Sequence, residues 1–198
     1  MNFSIDEDNI TDEFSRLASD LLNRHQLTVN NHQFRFTEIE FYYCGDKHPD
    51  SYTHEHDMEA GRWRFHNQGF DITLKGETGY GGILIRGVKT KDRDDKTKFN
   101  YINGPRRVLF SIMKCLNPVD EPNNSFGLEA GDTIKEEIFK TFRHGLGPGK
   151  RYYDAKYRFI IEPREFDRKL FSGSEEIARS FDDEAMAERF LGYRLSKI

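Results

Sequence analysis

The sequence predicts an α+β protein that forms a single domain across residues 1–198. Several short segments alternate apolar and polar residues with the two-residue period of β-strands. Amphipathic helical patterns lie apart from these segments, and no internal repeat or interdomain linker interrupts the chain. A chain of this length is long enough to bury a substantial core.

The composition narrows the class of protein. The formal net charge is -4, so any basic surface that binds nucleic acid must be local. Cys44 and Cys115 form no metal-ligand pattern and suit a reducing compartment, although two cysteines can pair. The N-terminus lacks the basic and apolar regions of a secretory signal, and no segment has the length of a membrane span. We therefore expect a cytoplasmic, intracellular protein with no membrane partner, whose oligomeric state the sequence leaves open.

The predicted elements follow from local patterns. Residues 11–24 predict an amphipathic helix with Thr11 as its N-cap, and Asn30–Asn31 predicts a hairpin turn between residues 27–29 and 34–43. Further strands are predicted at 63–65, 70–74, 83–88 and 155–162. Further helices are predicted at 105–116, 132–145 and 174–195. The polar segments 89–98 and 117–131 are predicted loops.

The predicted strand 34–43 carries the most informative chemistry. A two-residue period places five side chains on one face: Phe34, Phe36, Glu38, Glu40 and Tyr42. Desolvation among apolar rings raises the pKa of a carboxylate unless a cation or a hydrogen-bond donor offsets it. A carboxylate with a raised pKa can act as a general base. The alternative is an edge strand or a bulge with both glutamates in water. In the strand 83–88, Leu84, Arg86 and Val88 share a face, and Arg86 needs a carboxylate partner such as Glu38 or Glu40.

Two basic segments predict contacts with an anion. Arg106 and Arg107 occupy the first turn of the predicted helix that begins at Pro105, where the free N–H groups can hold a phosphate. Residues 143–153 combine glycines with Lys150 and Arg151. Both segments suit a phosphate backbone. Solvated arginines and an ordinary flexible turn are the alternatives.

A cluster of histidines raises the question of a metal site. His54 and His56 are two residues apart, which on a strand points both rings to one face, and Asp57 could add a third ligand. No further Cys or His follows at ligand spacing, so solvated or hydrogen-bonded histidines are the favoured interpretation. We expect no metal and no cofactor.

Taken in order, these segments resemble the alkyladenine (3-methyladenine) DNA glycosylase family of the mammalian type. Glu38-Ile39-Glu40-Phe41-Tyr42 resembles the family's Glu-Thr-Glu-Ala-Tyr strand, and Leu84-Ile85-Arg86 resembles its Leu-Leu-Arg. The other matching segments are LASDLL at 17–22, Asp50 to His54, Asp71-Ile72-Thr73, Asn103-Gly104-Pro105, Arg143 to Leu146 and Tyr157-Arg158-Phe159. The resemblance extends over residues 14–161 in patches.

The resemblance implies a compact α+β domain with a curved, mainly antiparallel sheet and flanking helices. It also implies that a base is flipped out of DNA before its N-glycosidic bond is hydrolysed. Matched residue by residue, Glu40 would activate the attacking water and Arg86 would hold that carboxylate. Tyr42 would stack on the flipped purine, with His54 against its other side or edge. The implied partner is DNA, or another purine nucleotide, that carries an alkylated base.

Three features depart from the family pattern. Asp71 stands where the family has Asn, which replaces a donor near the pocket with a negative charge. The family's Tyr-rich hairpin, which wedges into the duplex, has no clear match, and Trp63 or Phe65 is the candidate substitute. The chain is acidic overall. The alternatives are a non-catalytic member that binds nucleic acid or a small ligand, and a metal-site hydrolase built on His54, His56 and Asp57.

Overall fold

The fold consists of a curved antiparallel sheet with helices. The computed structural model describes residues 1–95, 97–166, 174–181 and 184–192. The helices are α1 (Ile10–Arg24), α2 (Pro105–Met113), α3 (Ser174–Ser180) and α4 (Glu184–Leu191). The strands are β1 (His25–Val29), β2 (His32–Gly45), β3 (His48–Pro49), β4 (Trp63–His66), β5 (Gly69–Lys75), β6 (Tyr80–Lys91), β7 (Phe99–Asn103), β8 (Phe126–Ala130), β9 (Phe139–Thr141) and β10 (Arg158–Ile160).

Two long strands, β2 and β6, form the centre of the sheet. The main path runs β4-β5-β6-β2-β1-β8, while β3 and β10 also pair with β2, β7 pairs with β6, and β9 pairs with β10. Each of these strand pairs is antiparallel. The predicted α+β class and the curved antiparallel sheet are therefore confirmed.

Helix α1 packs its apolar stripe against the sheet. Phe14 stacks on Phe41 of β2, with ring centroids 4.5 Å apart, and Leu17 and Leu21 are fully buried. The predicted helix over 11–24 is confirmed, although it starts one residue earlier and Asn9, not Thr11, is its N-cap residue. Among the helices in the described part of the chain, none combines the length and the apolar character needed to cross a bilayer.

Irregular pairing between β2 and β6 decides which side chains face the core. The register shifts between Phe36 and Glu38 and again between Glu38 and Ile39, so that it skips Thr37 on β2 and Arg86 on β6. Such bulges reverse the alternation of side chains along a strand. The core therefore takes apolar side chains from both sides of the bulge: Phe34, Phe36, Ile39, Phe41 and Tyr43.

The predicted sharing of faces on β2 and β6 is wrong for this reason. Phe34 and Phe36 lie in the core, whereas Glu38 and Glu40 meet buried arginines. On β6, Val88 joins Ile83 and Ile85 in the core and does not share the face of Arg86. The two carboxylates are thus buried against cations and hydrogen-bond donors and not among apolar rings alone.

The C-terminal half departs further from the predicted elements. Residues 132–138 have no regular secondary structure, and β9 follows them, so the predicted helix over 132–145 is wrong. Strand β8 lies within the predicted loop 117–131 because the edge of β1 supplies it with a partner. The predicted helix 174–195 is divided into α3 and α4, and residues 193–195 lie outside the described part of the chain.

Candidate functional site

A cleft of about 1240 Å³ is lined by residues of β2, β4, β5 and β6, the loop 51–58, the start of α2 and the segment 144–150. It brings together most of the predicted site residues: Tyr42, His54, Asp71, Arg86, Arg106, Arg107 and Lys150. Glu40 is fully buried and bonds to the lining residues Tyr42 and His144, so it lies directly beneath the cleft surface. Arg151 is exposed and does not belong to the lining.

A transverse row of residues places charge across the sheet. Successive cross-strand pairs join Arg64 to Asp71, Asp71 to Leu84, Leu84 to Glu40 and Glu40 to Arg158. Directly opposed residues in an antiparallel sheet project to the same face. The row therefore carries two cations at its ends and two carboxylates between them, separated by one leucine.

Glu38 lies between two buried arginines. Its Oε1 accepts hydrogen bonds from Arg86 Nε at 2.7 Å and from Arg158 Nε at 2.8 Å. Burial alone raises the pKa of Glu38, but the charges of Arg158 and Arg86 outweigh it and hold that pKa below its usual value. Burial lowers the pKa of Arg86, whereas Glu40 and Glu38 together raise it above its usual value. The prediction that Arg86 pairs with Glu38 or Glu40 is confirmed, and Arg86 serves both.

Glu40 has a different set of partners. The Tyr42 hydroxyl donates to Oε2 at 2.8 Å, and the backbone N–H of His144 donates to Oε1 at 2.7 Å. Arg86 Nε lies 3.4 Å from Oε1. Burial, with the negative charge of Glu40, raises the pKa of Tyr42 well above its usual value, so Tyr42 is a proton donor to the carboxylate. Glu40 is therefore held by groups that themselves face the cleft.

A buried arginine fixes the segment that supplies His144. Arg143 and Asp50 are both fully buried, with Arg143 Nη1 2.6 Å from Asp50 Oδ2 and 3.1 Å from the Phe41 carbonyl. The Arg143 guanidinium also lies 4.6 Å from the centre of the Tyr42 ring. The sequence interpretation placed Arg143 in a basic loop and missed this pair. The buried position makes Arg143 a structural cation and not a contact for phosphate.

Asp71 forms part of the cleft wall together with two side chains of β4. Its Oδ2 accepts a hydrogen bond from Arg64 Nη2 at 2.7 Å, and its Oδ1 lies 3.0 Å from His66 Nε2. Arg64 and His66 are two residues apart on a strand, so they share a face. That spacing is the sequence signal that would have identified them as partners of Asp71. The negative charge of Asp71, which stands where the glycosylases have Asn, is thus paired with side chains of the cleft wall.

The histidines of the loop 51–58 are not arranged as a metal site. His54 is exposed and lines the cleft. The ring of His56 bonds to backbone at both nitrogens, to the Gly81 carbonyl at 2.7 Å and to the Met58 N–H at 3.2 Å. In the residues that the structure describes, no group of three His, Cys, Asp or Glu side chains has an arrangement that would hold a metal ion.

Three basic side chains at the mouth of the cleft, Arg106, Arg107 and Lys150, are called the rim cations below. Arg106 Nε donates to the Asn67 carbonyl at 2.9 Å, which joins the start of α2 to the turn between β4 and β5. Lys150 Nζ lies 5.0 Å from the centre of the Tyr52 ring. The fourth predicted phosphate contact, Arg151, packs on Tyr152 away from the lining.

The two candidate wedge residues occupy different environments. Trp63 is half-buried and packs edge-on against Phe126, with ring centroids 5.0 Å apart. Phe65 is 50% exposed, lines the cleft, and stacks on Phe70. Of the two, Phe65 is the aromatic side chain available at the rim.

Comparison with known proteins shows a similarity to a viral protein. No protein-family model matches the chain. The chain is similar to uncharacterized protein L759 of Acanthamoeba polyphaga mimivirus, with 27% identity over 191 aligned residues. The alignment covers 76% of this chain and 86% of the viral protein.

Proposed function

We propose that the protein hydrolyses the N-glycosidic bond of a modified purine nucleotide, in the manner of a DNA glycosylase. The observation that carries the proposal is the group of Glu40, Tyr42 and Arg86 at the base of the cleft. It places the hydroxyl of an aromatic residue and a cation within hydrogen-bonding or ion-pairing distance of one carboxylate. The resemblance in sequence to the alkyladenine glycosylases assigns the same three positions to the chemistry.

In the proposed reaction, Glu40 is the general base. It takes a proton from the water that attacks the sugar C1′, and Arg86 keeps the carboxylate oriented. Glu40 Oε2 already accepts the Tyr42 hydroxyl, and Glu40 has no exposed surface. Water therefore reaches Glu40 when the Tyr42 side chain shifts as the nucleotide enters. Entry requires that the nucleotide leaves the base stack, since the glycosidic bond of a stacked and paired nucleotide is inaccessible.

The walls of the cleft suit a purine and its phosphates. Tyr42 offers a ring for stacking, and His54 lies on the loop that closes another side of the cleft. Asp71 is an acceptor for N–H groups on the edge of a purine. The rim cations would contact the phosphate backbone, and Phe65 would fill the space that the flipped base leaves.

A second candidate function is binding without catalysis. The complete burial of Glu40 and the occupation of both its oxygens by donors favour it. In that case the cleft would bind a purine nucleotide and Glu40 would only hold Tyr42 and the segment at His144 in place.

Single-turnover release of base separates the two functions. The substrates are an alkylated purine in duplex DNA, in single-stranded DNA and as a free nucleoside. We expect Glu40→Gln to lower the rate of release by about two to four orders of magnitude, because Gln keeps the shape but cannot accept a proton from water. The matched control is Glu121→Gln, which makes the same change at an exposed residue.

The outcomes are distinct. Absence of release by the wild type from all three substrates, with measurable binding, would reject hydrolysis in favour of binding alone. Release that persists in Glu40→Gln would show that another residue is the base, and Glu38 would be the next residue to change.

A further inference from the structure

A second ionisable pair borders the cleft, formed by His144 and Glu176. Glu176 Oε1 lies 3.1 Å from His144 Nδ1 and accepts the backbone N–H of Gly145 at 3.1 Å. The His144 side chain is 33% exposed and lines the cleft, whereas that of Glu176 is 19% exposed. Within the described residues, no hydrogen bond engages the other ring nitrogen, Nε2. The carboxylate thus fixes Nδ1–H as donor and leaves Nε2 for the contents of the cleft.

Glu176 is an anion beside this ring. Burial raises the pKa of Glu176, but the hydrogen bonds from His144 and from the Gly145 N–H outweigh it and lower that pKa to about 2. A carboxylate that accepts Nδ1–H fixes the orientation of the imidazole. The pair therefore places an oriented imidazole at the edge of the cleft.

The backbone that carries the His144 ring is held in a fixed position relative to Glu40. The backbone N–H of His144 donates to Glu40 Oε1, and the preceding residue, Arg143, is locked by its buried ion pair with Asp50. On the other side, Ser180 of α3 accepts the Phe142 N–H at 2.7 Å, which holds α3 and Glu176 against the same segment. Glu40 and the imidazole of His144 are thus positioned by a single residue.

We propose that His144, positioned by Glu176, is the general acid that protonates the leaving purine; the inference rests on the proposed hydrolysis of an N-glycosidic bond. Water oxygen bonds to C1′ while the C1′–N9 bond breaks, and the bonding pair passes into the purine. Nε2–H of His144 gives its proton to a purine ring nitrogen, and Glu40 takes one from the water. Solvent then carries the proton from Glu40 back to His144, so the enzyme is regenerated.

The pair identifies a class of substrate. A cationic alkylated purine leaves as a neutral molecule, so its departure needs no proton. A neutral purine would leave as an anion unless it is protonated, so it depends on a general acid. A positioned acid therefore extends the reaction to neutral modified purines.

Charged groups from several elements lie near His144 or line the same cleft. Glu176 faces its ring from α3, and Glu40 accepts its backbone N–H. Arg86, Arg107 and Lys150 line the same cleft. The ring thus has Glu176 as its carboxylate partner and lines a cleft that also carries these three cations.

The experiment compares release of a neutral and a cationic purine from the same duplex. Hypoxanthine and 7-methylguanine serve as the two bases, in single-turnover assays of wild type, His144→Gln, Glu176→Gln and the exposed control His32→Gln. We expect the ratio of hypoxanthine to 7-methylguanine release to fall by about 100-fold or more in His144→Gln. The ratio in His32→Gln should equal that of the wild type.

The dependence on pH separates a catalytic role from a structural one. Release of hypoxanthine by the wild type should fall as pH rises and the imidazole loses its proton. His144→Gln should lack this descending limb, and Glu176→Gln should move it to lower pH, because the imidazolium loses its anionic partner. A stability defect alone would lower the release of both bases and leave the position of the limb unchanged.

Each outcome decides one proposal. An unchanged ratio in His144→Gln, or an equal loss for both bases, overturns the role of His144 and leaves hydrolysis standing. Failure of the wild type to release either base overturns the proposed hydrolysis itself.

Discussion

Arg86 shows how one residue sustains the buried charges of the site. Its Nε lies 2.7 Å from Glu38 Oε1 and 3.4 Å from Glu40 Oε1, and all three side chains are almost completely buried. Two buried carboxylates this close together require cations between them, since an unpaired buried charge is costly. Arg158 provides a second cation to Glu38, but Arg86 is the nearer one to Glu40.

Arg86→Ala should therefore destabilise the protein strongly. We expect the free energy of unfolding to fall by about 3–5 kcal/mol, because the change leaves Arg158 as the one remaining cation of the described residues beside two buried carboxylates. Urea unfolding followed by circular dichroism measures the effect. The control is Arg24→Ala, which breaks an exposed pair with Asp20 and should cost less than about 1 kcal/mol. Equal losses in the two variants would contradict the assigned role of Arg86.

Glu176 gives a prediction about acid stability. Its folded-state pKa of about 2 lies below the ordinary value of 4.5. A depressed pKa adds stability that is fully present above the unfolded-state pKa and is lost as pH falls through the folded-state pKa. Wild-type stability should thus decline from pH 4.5 toward pH 2 partly through Glu176. Glu176→Gln should show a smaller decline in a pH series of thermal unfolding, and parallel curves would count against it.

At the scale of elements, the irregular pairing of β2 with β6 brings the carboxylates to the arginines. Gly87 of β6 lies opposite Glu38, and a Cβ added there would be 2.7 Å from Thr37 Oγ1 and 2.9 Å from Glu38 Cβ. Both distances are too short for ordinary contact, and the two atoms belong to the side chains of the residues at the bulge. The close approach of the two strands at the bulge therefore requires glycine.

Gly87→Ala should disturb this region. We expect a loss of about 1–3 kcal/mol in the free energy of unfolding, as for overpacking elsewhere in protein cores. Gly127→Ala is the matched control, since a Cβ added in β8 would meet nothing within 4 Å. Chemical denaturation of both variants tests the prediction. If Gly87→Ala were as stable as Gly127→Ala, the strands would not be as close as described.

At the scale of the whole molecule, local placement of charge matters more than the total. The chain has a net charge of -4, yet the rim cations meet at the mouth of one cleft. A protein of this charge would bind DNA only through such a local surface. Under the proposed function, the cleft would supply both the reacting groups and the electrostatic attraction for the phosphates next to them.

The double variant Arg107→Ala/Lys150→Ala should weaken DNA binding and reduce its dependence on salt. Each lost phosphate contact lowers the slope of log affinity against log salt by about 0.9 on B-DNA. Fluorescence anisotropy at several salt concentrations measures the slope. Arg151→Ala is the control, because Arg151 lies outside the cleft lining. A slope reduced by Arg151→Ala and left intact by the double variant would place the DNA elsewhere.

Local patterns predicted the parts of the fold whose information is local. The period of α1 and the turn between β1 and β2 depend on residues close in sequence, and both are present. The pairing of Arg86 with glutamate was predictable because a charged side chain in an apolar strand requires an oppositely charged partner. Strands β8 and β9 were missed, since such short strands depend on the edges that β1 and β10 offer them.

The sequence by itself thus determined the α+β class, the amphipathic helix α1 and the need of Arg86 for a carboxylate. Only the tertiary structure decided which faces of β2 meet the core, because one bulged residue reverses the alternation. It also decided that Arg151 lies apart from the cleft, and that Glu176 reaches His144 across 32 residues of chain. These contacts depend on distances between segments that are remote in sequence, and the local periodicity of apolar residues does not predict such distances.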